Sequence, residues 1–203
     1  AYGVANYNVS LVDNGGTANG GVDTFGPLSF TITVTPENDP PTTVAAPVYA
    51  VTTNIQIDVP APSGLLVGAS DEATEASDPA GPGAPGTNLT IGNGANPPPT
   101  TSVNGGSVTI NTADGSFSYN PPPGFTGPDS FNYVVCDDGI GNPGPLCSAP
   151  ITVTLNVSGT RIWFVDNNVS GGANDGRLSS PFESLTAFNV LQGGGGAASP
   201  AAG

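Results

Sequence analysis

The strongest constraint on this chain is an alternation of apolar and polar residues through most of its length. Tyr7, Val9 and Leu11 fall on one face, as do Leu28, Phe30, Ile32 and Val34. The period recurs in Ile55/Ile57/Val59, Val108/Ile110, Phe117/Tyr119, Phe131/Tyr133/Val135 and Ile151/Val153/Leu155/Val157. Successive side chains of a strand point to opposite faces. Period-two runs broken by Gly, Pro, Asn and Asp clusters therefore predict half-buried antiparallel strands and an all-β fold. With Leu65–Val67 and Leu89–Ile91 added, the stretch from Tyr49 to Val157 holds about seven or eight strands, the number of a β-sandwich. Residues 72–87 and 93–106 have little apolar content and are expected as long loops.

Charge narrows the function classes. The chain has 16 Asp and Glu against two cations, Arg161 and Arg177, for a net charge of -14. Such a surface repels phosphate backbones and anionic headgroups, so neither a nucleic-acid partner nor membrane insertion is expected. Lysine and histidine are both absent. That removes the usual general base, the Ser-His and Cys-His pairs and the commonest transition-metal ligand, so no enzyme is expected. No apolar run reaches the ~20 residues of a membrane span. The start "AYGVANYNVS" lacks a basic region and an apolar core, so the targeting signal of an exported protein is expected outside this chain.

Cys136 and Cys147 flank a Gly/Pro-rich turn between two alternating runs, placing them to face each other across a hairpin. A disulfide there implies an oxidising compartment; two unpaired thiols are the alternative. A zinc site falls short of four ligands.

One internal repeat is visible. "YNVSLVDNGG" (Tyr7–Gly16) matches "FNYVVCDDGI" (Phe131–Ile140) in pattern, and each is followed by a Gly/Pro loop and a Thr-alternating strand. The chain accordingly divides into three units. Residues 1–41 are expected as the last hairpin of a preceding repeat plus linker, residues 42–158 as a complete sandwich and residues 159–203 as a third region, with the proline-stiffened "TPENDPPTT" (Thr35–Thr43) marking the first boundary. A lone hairpin is marginally stable, so either the chain begins mid-domain or the hairpin completes a sheet in a neighbouring molecule. The first is preferred, because bare edge strands are usually shielded. In the third region "RIWFVD" is expected as a short strand and "SSPFESLTAFNVL" as the one helix. Its expected start has Ser180 as N-cap, Pro181 at N1 and Glu183 at N3, and Gly193 as its stop. The Gly/Ala-rich tail is of low complexity.

Several strings resemble a known family. "IDVPAPSGLL", "NGGSVTINTADGSFSYNPPPGFTGPDSFNYVVCDDG" and "ITVTLNV" are similar to the cadherin-like/Ig-like tandem repeat of giant bacterial surface adhesins. "GSFSYNPPPGFTGPDSFNY" is the specific part, and "TITVTPENDPP" resembles that family's end-of-repeat linker. The resemblance covers residues 1–157 and implies an Ig/cadherin-like sandwich, extracellular or cell-surface, acting as stalk or adhesive rod. Its partners would be neighbouring repeats, further copies of the chain, and a glycan or protein receptor. "IWFVDNNVSGGANDGRLSSPFESLTAFN" is similar to the start of a right-handed parallel β-helix region of secreted surface proteins.

Calcium is the one cofactor worth expecting, because Ca²⁺ takes six to eight oxygen ligands and cadherin-like junctions gather them from several loops. The candidates are Asp13, Asp23, Glu37, Asn38 and Asp39. Asp71, Glu72, Glu75 and Asp78 are expected as a solvated acidic loop, and Asp137 and Asp138 as a solvated acidic turn. Asp114-Gly115 is expected as a hairpin turn. Asn8, Asn88, Asn156 and Asn168 begin Asn-X-Ser/Thr strings that would be glycan acceptors in a eukaryotic secretory route and are chance matches if the chain is bacterial, as the resemblance implies. Phe117, Tyr119, Phe125, Phe131 and Tyr133 are expected as core, and Trp163 as a seal at the β-helix end.

The leading expectation is a structural or adhesive segment of an extracellular repeat protein. The alternatives are a filament subunit assembled by strand addition and a non-catalytic or carbohydrate-binding module of a polysaccharide-active β-helix enzyme. A calcium ion at the junction predicts a Tm that falls when EDTA replaces millimolar calcium. An unchanged Tm removes the ion.

Overall fold

The computed structural model describes residues 3–34, 38–43, 46–71, 89–138, 144–168 and 174–192. Its first element pair is a long antiparallel hairpin, β1 (Gly3–Val12) with β2 (Thr24–Val34), which forms a sheet of its own. The register places Tyr7 opposite Phe30 and Val9 opposite Leu28 on one face, and Asn8 opposite Ser29 on the other. That polar face is laced by side-chain hydrogen bonds: Ser29 Oγ donates to Asn8 Oδ1 at 2.6 Å and Thr31 Oγ1 to Asn6 Oδ1 at 2.8 Å. The apolar face stays open to solvent.

The sandwich carries eight further strands among the described residues. They are β3 (Val48–Thr52), β4 (Ile57–Val59), β5 (Thr90–Ile91), β6 (Ser107–Ile110), β7 (Phe117–Asn120), β8 (Gly127–Tyr133), β9 (Val135–Cys136) and β10 (Ile151–Ser158). One sheet has the order β3-β10-β8, with β3 parallel and β8 antiparallel to β10. Just past Val134 the chain of β8 continues as β9, which pairs with β5. The facing sheet has the order β4-β7-β6. Inward side chains of both sheets merge in one apolar cluster that includes Val51, Val59, Ile91, Val108, Phe117, Tyr119, Phe131, Val135 and Leu155. Aromatic edges cross between the sheets, with Phe117 and Phe131 centroids 5.6 Å apart and Tyr49 and Phe117 5.1 Å apart. The all-β sandwich expected from the alternation is the observed fold, and Phe117, Tyr119, Phe131 and Tyr133 lie in its core, with Phe125 packed against it.

The pairing pattern of β1–β2 is repeated register for register by β8–β10. Tyr7–Phe30 corresponds to Phe131–Val153, Val9–Leu28 to Tyr133–Ile151, and Gly3–Val34 to Gly127–Val157. The ladder of β1 shifts between Val9 and Leu11, where β8 breaks before β9. Beyond the shift, Val12–Thr24 corresponds to the Cys136–Cys147 bridge, and Asp13 N donating to Asp23 O corresponds to Asp137 N donating to Leu146 O. Gly3 and Gly127 even share a positive φ, 137° and 127°. Burial is what most separates the two hairpins. Tyr7 and Ile32 are 48% and 47% exposed, whereas Phe131 and Leu155 are 3% and 0%. The second hairpin is covered by the β4-β7-β6 sheet and flanked by β3; among the described residues the first has neither.

Three local expectations differ. Residues 65–67 form turns following a 3-10 turn at Ala61–Ser63, because Leu65 N is bonded to Gly115 O rather than to a ladder. Leu65 still enters the core at 2% exposure. "RIWFVD" forms a single parallel bridge, Val165 with Phe182, flanked by Phe182 N donating to Phe164 O and Asp166 N to Phe182 O. The helix α1 is Leu185–Gln192, four residues later than expected. Ser184 caps it, its Oγ accepting from Ala187 N at 3.1 Å, while Ser180 is held in a turn by Asn174, Asp175 and Gly176. Asp114-Gly115 does turn β6 into β7, and Gly115 has φ +72°. Asp114 accepts from Ser116 Oγ and Ser116 N, which lowers its pKa.

Candidate functional site

No catalytic residue is expected, so the chemistry-bearing side chains are taken where the fold concentrates them. The most connected is Asp129. Alternation along β8 places it on the same inward face as Phe131 and Tyr133, and it is 3% exposed. A carboxylate there costs several kcal/mol unless its oxygens are satisfied. They are. Tyr119 Oη donates from the facing sheet at 2.6 Å and Ser102 Oγ at 2.5 Å, both to Oδ2, while Oδ1 accepts from Asn104 N at 3.0 Å and Ser130 N at 2.8 Å. Burial alone raises this carboxyl's pKa, but the bonds from Ser102, Tyr119, Asn104 and Ser130 outweigh it and hold the group below its ordinary value. Tyr119 is pushed well above its ordinary range, first by burial and then by the Asp129 carboxylate. The pair is a polar pin through the sandwich, and Ala5 occupies the matching place in the first hairpin.

A second concentration lies at the end of the β9–β10 loop. Cys136 and Cys147 are joined by a disulfide, as their placement across a turn allowed. Beside it Asp137 is buried at 5% exposure, accepting from Leu146 N at 2.9 Å and from Asn38 Nδ2 at 3.1 Å. This corrects the expectation of a solvated acidic pair: Asp137 pins its own loop and the linker residue Asn38, whereas Asp138 is exposed. Asn38 Nδ2 also donates to Gly144 O at 2.7 Å.

Of the calcium candidates, Asp13 and Asp23 meet at the open end of the first hairpin, where their backbones pair at 2.9 Å. Asp13 Oδ1 accepts from Gly15 N at 2.7 Å, and Asp23 Oδ1 is buried with no hydrogen-bond partner. Asn38 sits elsewhere, against Asp137, and turns its amide nitrogen rather than its oxygen to that carboxylate; Asp39 is exposed. Glu37 lies outside the described residues, as do Glu72, Glu75 and Asp78. Among the described residues no three His, Cys, Asp or Glu side chains converge on one point, so the described candidates do not assemble into a single oxygen cage of the size Ca²⁺ takes.

A cleft of about 320 Å³ opens beside β3, lined by Thr43, Tyr49, Ser63, Leu65, Val67 and Tyr133. Tyr49 Oη donates to Ser63 O at 2.8 Å and Tyr133 Oη to Leu65 O at 3.0 Å. Burial, with a smaller contribution from Tyr49, pushes the Tyr133 phenol up to about 12. Both hydroxyls are thus spent on closing the turn over the core.

Sequence reasoning singled out the string that contains Asp129 but not the residue itself. Its signal was present: a carboxylate in phase with Phe131, Tyr133 and Val135 must face inward. Because the folded carboxyl has a depressed pKa, its contribution is complete above the unfolded value of about 3.9 and is lost as pH falls through the folded value. Asp129→Asn is expected to cost about 2 kcal/mol at pH 7, with the gap to the parent narrowing below roughly pH 4. Urea midpoints measured at pH 7 and pH 3 check it, and parallel pH profiles for the two proteins contradict it.

Residues 38–156 match the family described as bacterial Ig domain. No curated protein matches the chain. Bacterial Ig domains commonly occur in extracellular and surface proteins and are typically non-catalytic. No helix among the described residues is long and apolar enough to cross a membrane. The match spans more than half of the chain and coincides with the eight-stranded sandwich, and the chain belongs to the bacterial Ig domain family.

Proposed function

We propose that the chain is a structural, non-enzymatic segment of a large extracellular or cell-surface repeat protein, serving as stalk, spacer or fibre unit. The observation that carries this reading is the hairpin β1–β2, which reproduces β8–β10 in register, ladder shift, strand-end pairing and glycine backbone. A hairpin with that geometry and an uncovered apolar face is the closing pair of another Ig-like repeat. Its complement is a second sheet like β4-β7-β6 and a parallel flanking strand like β3. Tandem repeats joined by the short linker around Asn38, which docks on Asp137, form a rod with limited swivel. The disulfide suits an oxidising exterior, and a surface poor in charge and rich in Thr, Ser and Asn suits a passive spacer.

A second reading, assembly into a filament by strand addition, is favoured by the free edge of β2. In the sandwich the matching edge of β10 takes β3 in parallel over Val48–Thr52; in the hairpin that edge is unpaired among the described residues. Calcium has the least geometric support of the expected partners, because Asp13 and Asp23 stand at one end of the hairpin while Asn38 is engaged elsewhere.

Antibody raised against residues 46–158 tests the reading on the producing cells. Labelling of intact, unpermeabilised cells is expected, on surface rods for the stalk or on detached regular filaments for strand addition. Label that appears only after permeabilisation overturns it.

A further inference from the structure

We infer that residues 160–168 and 174–192 are not a separately folded appendage but a plug that folds only against one pole of the sandwich, with Asn54 as the residue that holds it there. The family match ends at residue 156, so this contact lies beyond the Ig-like unit and beyond the spacer role proposed for it.

Asn54 follows β3 in the left-handed region, with φ +62°, and is fully buried. All of its polar side-chain and carbonyl groups cross to other segments. Its Nδ2 donates to Ile162 O at 2.8 Å, its Oδ1 accepts from Gly124 N at 2.7 Å, and its own carbonyl accepts from Leu178 N at 2.9 Å. One residue thereby ties together the end of β3, the loop between β7 and β8, and both arms of the C-terminal segment. A buried, left-handed asparagine whose side-chain amide and carbonyl are all bonded outward is stable only while all three partners are in place.

The chain's two cations converge on the same pole. Arg161 Nε donates to Gly124 O at 2.9 Å, and Arg177 Nη1 donates to Pro121 O at 3.2 Å. Asp175 aims Arg177 through an ion pair at 2.6 Å. Asn120 Nδ2 adds a bond to Ser179 Oγ at 2.6 Å. A chain with two cations among 203 residues places both at the seam between the sandwich and its C-terminal segment.

Within the plug the packing is small. Phe182 stacks between Trp163 and Phe188, at centroid distances of 5.8 and 5.7 Å. Gly176 is forced by that stack: a Cβ there would meet the Phe182 ring at once, and its φ of +81° suits glycine. Phe182 is the one fully buried large side chain among the described residues of the segment. Three rings and a single parallel bridge are too little apolar burial for about thirty residues to fold alone. The sandwich pole supplies the rest, so the direction in which the chain leaves the sandwich is fixed rather than hinged.

Trp163 is the only tryptophan and lies in the plug, so its fluorescence reports the plug while far-ultraviolet circular dichroism reports the sandwich. In the 203-residue chain the two thermal transitions are expected to coincide. Asn54→Gly keeps the left-handed backbone and removes both side-chain bonds. It should split the transitions, with the Trp163 transition roughly 5–10 °C below that of the sandwich. The double variant Arg161→Gln with Arg177→Gln leaves the core untouched and should split them in the same sense, which covers the case of an Asn54 variant that fails to fold. A Trp163 transition already separate in the parent, or coincident transitions in a folded variant, overturns the inference.

Discussion

A two-stranded hairpin with one apolar face is worth little in water until something covers that face, and the rest of this chain is arranged around that fact. The inner face of β8 and β10 brings Phe131, Tyr133, Val153, Leu155 and Val157 into one layer, and the β4-β7-β6 sheet closes over it. Burial of that layer is the dominant favourable term, at about 1.5–3 kcal/mol for each fully covered large side chain. Every polar device in the sandwich serves it. Tyr119 and Asp129 pin the two sheets together, the disulfide closes the β9–β10 loop, and β3 shields the edge of β10. The hairpin β1–β2 has the same register and lacks the cover, so the two hairpins are one motif seen in two states of burial.

Polar links rather than apolar area define the ends of the sandwich. At one pole Asn38 reaches Asp137 and Gly144. At the other, Asn54, Arg161 and Arg177 reach across to backbone carbonyls. Bonds from a guanidinium to a carbonyl do not depend on a partner charge, which suits a surface almost without cations. Such junctions restrict rotation of the segments that flank the sandwich without a large interface, which is what the proposed spacer role would need.

Much of the fold was legible because alternation of period two leaves little choice of face. The strands, the inward aromatic set and the likeness of Tyr7–Gly16 to Phe131–Ile140 all follow from it. The features that escaped are those decided by tertiary partners. Leu65–Val67 carries strand-like residues, yet Leu65 N bonds to the β6–β7 turn, so the segment coils while its leucine still fills the core. Ser180 and Ser184 both precede a plausible first helical turn. The choice went to Ser184 because Phe182 was needed in the aromatic stack and in the bridge to Val165. Asp137 has the sequence of half a solvated pair, but its carboxylate accepts from Leu146 N and from Asn38, the latter distant in the chain. Asp129 was readable in principle, since a carboxylate in phase with aromatic residues faces inward, but its donors Ser102 and Asn104 come from a loop with no periodic signal.

Amide hydrogen exchange of the 203-residue chain in dilute solution tests most directly the idea that cover, not strand sequence, makes these hairpins stable. Amides in the β8–β10 ladder should exchange only with opening of the whole sandwich, whereas those in the β1–β2 ladder exchange through local opening, roughly a hundredfold faster or more. Equal protection of the two ladders would contradict the account, because the first hairpin would then owe its stability to something other than a covered apolar face.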